Sequence, residues 1–149
     1  MAEKAALENP DQIGCFRIVK KIGEGSFGKV FLGKNSATES YAAIKSAKRS
    51  RDARIMAINN RMIRAEASIL GQLTHKNIVK LYQSIEEEGI HSMVIEFVSG
   101  IDLGKLLASE KTVFTEREAS SIIKNILEGL EYLHSKNITH RDIKPSKLC

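Results

Sequence analysis

Residues 23–30 read Gly-Glu-Gly-Ser-Phe-Gly-Lys-Val. Three glycines beside a lysine suit phosphate, because small residues let backbone N–H groups approach an anion and the ammonium offsets its charge. Two charged residues farther along have the right types to assist. Lys45 lies inside the short apolar run Tyr41–Ala47, where an ammonium needs a partner, a function or an escape to solvent at the strand edge. Glu66 stands at i±3 and i±4 from Met62, Ile63, Ile69 and Leu70, in the middle of a helical face that should be buried. A buried carboxylate calls for a cation, and Lys45 is the candidate. The plainer reading puts Glu66 at the edge of the apolar stripe.

Three phosphate-binding devices contain such a glycine string. A Walker A loop fits Gly23 to Lys29, but its eighth position needs a hydroxyl and is Val30. A dinucleotide fingerprint fits Gly23, Gly25 and Gly28 but, like Walker A, requires a helix next. Lys29–Gly33 (KVFLG) is strand material, and Tyr41–Ala47 has a lysine where the fingerprint needs an acid. The third device is a hairpin whose glycine-rich turn folds over a nucleotide. The string G-x-G-x-x-G-x-V is met at every fixed position, although a ligand-free hairpin can carry the same residues.

The elements that must position these groups follow from periodicity. Phe16–Ile22 and Lys29–Gly33 flank the glycines as strands, and Tyr41–Ala47 is a third. From the N-cap Asp52 to about Leu73 the pattern is helical, with Met62, Ile63, Ile69, Leu70 and Leu73 on one face. Asn77–Ile85 and His91–Val98 are two further strands around a polar turn containing Gly89. The first hundred residues thus predict five strands and one helix. Ser99–Asp102 breaks the pattern. Thr115 and Glu118 then make a capping box, followed by Ala119, Ile122, Ile123, Ile126, Leu127, Leu130 and Leu133 at helical spacing up to a stop at Asn137. A β-rich unit joined to a helical one near residue 100 is the α+β organisation expected.

Composition agrees with a globular chain: 149 residues, 42% hydrophobic, 28% charged, net charge +5. That charge suits an acidic or phosphorylated ligand and is weak support for nucleic acid. Cys15 and Cys149 are too few for a disulfide framework, and no metal-ligand spacing appears. A reduced, intracellular, cytoplasmic protein without a membrane segment or signal peptide is expected, with residues 1–13 a polar lead-in.

His140 to Lys147 read HRDIKPSK, which matches H-R-D-x-x-x-x-N except at its last position. Together with the glycine string and Ala42–Lys45 (AAIK), this makes the chain resemble the eukaryotic protein kinases from about Phe16 to Cys149. The resemblance implies a kinase domain over 14–149, with a five-stranded antiparallel N-lobe (14–98), a hinge at about 95–101 and the first helices of a C-lobe (102–149), with MgATP between the lobes. Ile22, Gly23, Glu24, Gly25, Ser26, Phe27, Gly28 and Val30 would cover the nucleotide, with Ala43 opposite Val30 against the adenine. Lys45 would reach the phosphates, oriented by Glu66. Ile95 takes the gatekeeper place, and Glu96 to Val98 offer backbone groups to the adenine. Asp102 would face the ribose or a peptide substrate. Asp142 would accept the proton of a substrate hydroxyl, and Lys144 marks the serine/threonine type.

Two departures bear on activity. Lys147 stands where the family has its Mg²⁺-binding asparagine; an ammonium only donates hydrogen bonds and repels a cation. The sequence also stops at Cys149 without a D-F-G motif, so the expectation is a C-terminally truncated kinase whose own transfer activity is absent. An inactive nucleotide-binding or interaction module is the alternative, with a helix stripe open to self-association or a chaperone. Lys45, Lys48, Arg49, Arg51, Arg54, Arg61 and Arg64 outnumber Asp52 in the approach to the first helix. They are either a solvated face or a dock for an acidic partner.

Overall fold

A computed structural model describes residues 10–109 and 113–149; of the lead-in, residues 1–9 lie outside them. The chain divides into two compact units. One is formed by the chain up to Gln72 together with Lys80–Phe97, the other by Leu73–Val79 together with Val98–Cys149.

The first unit is a six-stranded antiparallel sheet. Its strands are β1 (Gln12–Ile13), β2 (Phe16–Glu24), β3 (Gly28–Asn35), β4 (Tyr41–Ala47), β5 (Leu81–Glu87) and β6 (Ile90–Glu96), ordered β1-β2-β3-β4-β6-β5. The sixth strand corrects the expected five. β1 is too short to show a period, yet Ile13 pairs with Phe16 and is buried with Phe31, Ala42, Ile44 and Val94 on one side of the sheet. Gly14 makes the turn at φ +55°, and a Cβ there would meet Ile85 at 2.7 Å.

Helix α1 (Ala53–Leu70) packs on the opposite side. Asp52 caps it, its Oδ1 accepting from the N–H of Arg54 at 2.8 Å and of Ile55 at 3.4 Å. The buried stripe is Asn59, Ile63 and Ala67, set among Ala47, Met93, Met56 and Leu81. This departs from the predicted face, since Met62 and Ile69 are exposed and Leu73 lies beyond the helix. The helix carries two apolar stripes, and a hydrophobicity count favours the one without Asn59 and Ala67. Asn59 is buried because its Nδ2 donates to the Lys48 carbonyl at 2.9 Å. Asn60 binds the β5–β6 turn, donating to Gly89 O and accepting from His91 N.

The second unit holds α2 (Leu103–Leu107), α3 (Glu116–Ser135) and a 3₁₀ turn at Pro145–Lys147. The capping box forms as predicted: Glu118 N–H donates to Thr115 Oγ1, and Thr115 N–H to Glu118 Oε2. Asn137, at φ +57°, ends the helical path. Residues 77–80, expected to open β5, are not strand. Instead Asn77 Nδ2 donates to the Asn125 carbonyl of α3 at 2.9 Å, and Thr74 N–H donates to the Tyr132 hydroxyl. Among the described residues no helix is long and apolar enough to cross a membrane.

Ile63 is 1% exposed and joins α1 to the sheet. Ile63→Ala is expected to destabilise the first unit by about 2–5 kcal/mol in denaturant titration, whereas Ile58→Ala on the open side should cost less than about 0.5 kcal/mol.

Candidate functional site

The glycine string is the tip of the β2–β3 hairpin. Gly25 N–H closes the turn on Gly28 O at 2.8 Å. Gly23 pairs with Val30 and Glu24 with Lys29, after register shifts farther back in β2. Gly28 is obligatory for packing: a Cβ there would sit 2.9 Å from Ser46 O and 3.0 Å from Ile63 Cδ1. The tip is tied to the end of β4 as well, because Lys48 N–H donates to Phe27 O at 2.9 Å. Ile22, Ser26 and Phe27 are exposed.

Glu24 forms the side-chain half of that tie. It accepts from Lys48 Nζ at 2.8 Å and from Lys21 Nζ at 3.0 Å. The Lys48 hydrogen bond, then the Lys21 one, hold its pKa down at about 2, so the clasp is charged throughout the neutral range. It is released only as pH falls from the ordinary carboxylate range toward 2.

Strand pairing puts Val30, Lys45 and Met93 side by side, and next to them Leu32, Ala43 and Ile95. Paired and alternate residues share a face, so Val30, Ala43, Lys45 and Ile95 line the sheet side on which α1 packs. Val30 and Ile95 are half-buried and Ala43 is buried. From this face Lys45 Nζ reaches both oxygens of Glu66, at 2.8 and 2.6 Å. The pair deduced from sequence therefore forms, but in a different setting. Glu66 is 46% exposed at its side chain and Lys45 26%, so Glu66 stands at the margin of the buried stripe. A pair this exposed adds only about 0–1 kcal/mol to stability; its value is in orientation. At the end of β6, the Glu96 N–H donates to Lys80 O at 2.8 Å, just ahead of β5, and is committed there. Val98 belongs to the second unit and is exposed.

The second unit carries the other charged group. Arg141 lies at φ +64°, a conformation that costs an arginine about 1–3 kcal/mol and clusters at functional sites. Beyond this bend, Asp142 N–H donates to His140 Nδ1 at 3.2 Å. The Asp142 carboxylate faces Lys144 Nζ at 3.3 Å and Lys147 Nζ at 3.6 Å. The hydrogen bond from Lys144, with support from Lys147, holds its pKa below the usual carboxylate value. The 3₁₀ turn that presents Lys147 rests on α2: Leu103 N–H donates to Leu148 O, and a Cβ at Gly104 would come within 3.1 Å of Ser146 N. Sequence reasoning missed both residues, since a five-residue helix has no readable period. Asp102, expected at a ribose or peptide, caps α2: its Oδ1 accepts from Lys105 N–H at 2.9 Å and its Oδ2 faces Lys105 Nζ at 3.1 Å. The bonds from Lys105, backbone first, lower its pKa.

A family model for the protein kinase domain matches residues 16–148. The chain is 35% identical over 136 residues to an Aurora kinase of Schizosaccharomyces pombe, covering 91% of this chain and 38% of that protein. It is 34% identical over 139 residues to a probable serine/threonine-protein kinase, MARK-C, of Dictyostelium discoideum, covering 91% and 18%. It thus spans well under half the length of these curated relatives. In fold it resembles the PknI kinase domain of Mycobacterium tuberculosis, with a TM-score of 0.67, 22% identity, and 91% of this chain and 54% of that one covered.

Two measurements check the hairpin. The Glu24 carboxyl should titrate near pH 2 by NMR and move toward about 4.3 in Lys48→Met; an unmoved value would break the clasp as described. Gly28→Ala should destabilise the first unit by about 1–3 kcal/mol through its contact with Ser46 O.

Proposed function

The chain belongs to the protein kinase family, and on that premise we propose that it forms the ATP-binding portion of a protein serine/threonine kinase. The observation that carries this reading is the Lys45–Glu66 pair, an ammonium held by both oxygens of one carboxylate on the face lined by Val30, Ala43 and Ile95. Such a pair fixes a positive charge where phosphate oxygens can share it. At the hairpin tip, clasped at Glu24 and Phe27, the glycines let backbone N–H groups approach an anion. Val30 and Ala43 give an apolar wall for a base, and beyond Ile95 the backbone at Phe97 would bind its edge. Bound ATP supplies the phosphoryl group.

In the second unit, Asp142 would accept the proton of a substrate hydroxyl, and Lys144 beside it keeps the carboxylate ionised. Lys144 also supports a serine or threonine as acceptor, as does the name of the MARK-C relative. Mg²⁺, which the family uses, does not fit the residues at this position. Lys147 brings a donor where a ligand oxygen is needed.

The same Lys147–Asp142 contact favours a second reading, an inactive nucleotide-binding or interaction module. A radiolabel transfer assay on a generic basic protein separates the two: transfer abolished by Asp142→Asn supports the kinase, and no transfer with ATP still bound supports the module. Self-association belongs to either reading, because Ile123 and Leu127 on α3 are 54% and 59% exposed, an apolar surface that invites contact.

Lys45→Met is expected to weaken ATP binding about tenfold or more, read by titration with a fluorescent nucleotide; unchanged affinity would remove the basis of the proposal. Lys147→Asn should raise Mg²⁺ affinity in calorimetric titration. Ile123→Glu with Leu127→Glu should reduce light scattering by concentrated protein.

A further inference from the structure

Lys48 lies just past β4 and is held from three sides. Its N–H donates to Phe27 O at the hairpin tip, at 2.9 Å. Its Nζ reaches Glu24, on the same hairpin, at 2.8 Å. Its carbonyl accepts from Nδ2 of Asn59 in α1, at 2.9 Å.

These bonds differ in what they join. Lys21 sits in β2 with Glu24, so its bond ties the hairpin to itself, whereas the Lys48 bonds tie the tip to the end of β4. The bond to α1 has a fixed base, because Asn59 is 5% exposed and belongs to the buried stripe with Ile63. An amide buried there must find a partner, and the Lys48 carbonyl supplies it. Asn59 and Glu66 lie about two turns apart on one face of α1. The end of β4 therefore meets that helix twice, through Lys45 at Glu66 and through Lys48 at Asn59.

We propose that Lys48 is a positioning residue for the nucleotide, holding the glycine hairpin in place with α1 as its abutment. The role rests on the nucleotide site proposed above. Lys48 need touch no phosphate; it acts through the hairpin at one end and through Asn59 at the other. A ligand that draws the hairpin down also seats α1, and a helix displaced at Asn59 loosens the hairpin, because coupling between two sites is reciprocal. The plainer alternative, a surface lysine paired with a surface glutamate, would leave the hairpin indifferent to Asn59.

The test follows amide hydrogen exchange by NMR in the full chain at Gly25, whose N–H closes the hairpin tip. The core amides of Ile44 and Val94 serve as the folding control. Lys48→Met is expected to speed exchange at Gly25 about twofold to fivefold, the effect of one exposed ion pair, and Lys48→Arg to restore it. Added salt should speed wild type and leave Lys48→Met unchanged. Asn59→Leu, which removes a donor outside the hairpin, should speed Gly25 as well; Asn59→Ala takes its place if the control amides loosen. In stopped flow with a fluorescent ATP analogue, Lys48→Met should raise the dissociation rate by a similar factor. Exchange at Gly25 that ignores Lys48→Met, or that follows it and ignores the Asn59 variant, overturns the proposal. A wild-type chain that binds no nucleotide removes the nucleotide site and this role together. Binding whose dissociation rate is indifferent to Lys48→Met overturns the role alone.

Discussion

An ammonium in the fourth strand of a sheet has to find a carboxylate or water, and Lys45 finds both oxygens of Glu66. Much of the first unit follows from bringing those two groups together. The helix bearing Glu66 must lie on the same side of the sheet as Lys45, with a rotation that leaves the carboxylate at the margin of its buried stripe. Ile63 and Ala67 set that rotation by packing on Ala47 and Met93. Gly28 permits it, since Ile63 Cδ1 and the Ser46 carbonyl occupy the space that a Cβ would take. The pair itself is too exposed to hold the fold together. Packing holds the helix, and the helix holds the charge.

Charge in the second unit is arranged differently. Asp142 is approached by two ammonium groups from its own loop, so its carboxylate stays ionised without a metal. This arrangement depends on Arg141 in a left-handed conformation and on a 3₁₀ turn supported by Gly104 and Leu103. A carboxylate whose pKa is lowered in this way is a weak base in the ground state. As the proposed acceptor of a substrate proton, it would take one only from a hydroxyl that becomes more acidic during reaction.

Features with a strong local chemical cause were legible in the sequence. Asp52 and the Thr115–Glu118 box were readable as caps because each satisfies orphan N–H groups within three residues. The β2–β3 hairpin was readable from its glycine spacing, and the Lys45–Glu66 pair from a lysine and a glutamate each set among apolar residues. What escaped depended on distant contacts or on elements too short to show a period. β1 is two residues long, and α2 is five. Residues 77–80 look like strand until Asn77 is seen bonded to α3. Glu66 was expected to be buried because the true inner stripe includes the polar Asn59 and the small Ala67, which carry less apolar weight than Met62 and Ile69. Asp102 was assigned to a ligand, although it also satisfies the first turn of α2.

The excess of five positive charges is not spread evenly over this chain. Around the first helix, Lys45, Lys48, Arg49 and Arg64 each meet a glutamate. These pairs tie together the hairpin tip, the β5–β6 turn and the helix. The arginines left over, Arg51, Arg54 and Arg61, all belong to α1 or its approach. Solvation of a helix face would account for exposed arginines alone. It does not account for four large apolar side chains in a/d register beside them, because half-exposed Ile and Met gain nothing from water. Glu66 stands between that stripe and the sheet, with both carboxylate oxygens on Lys45.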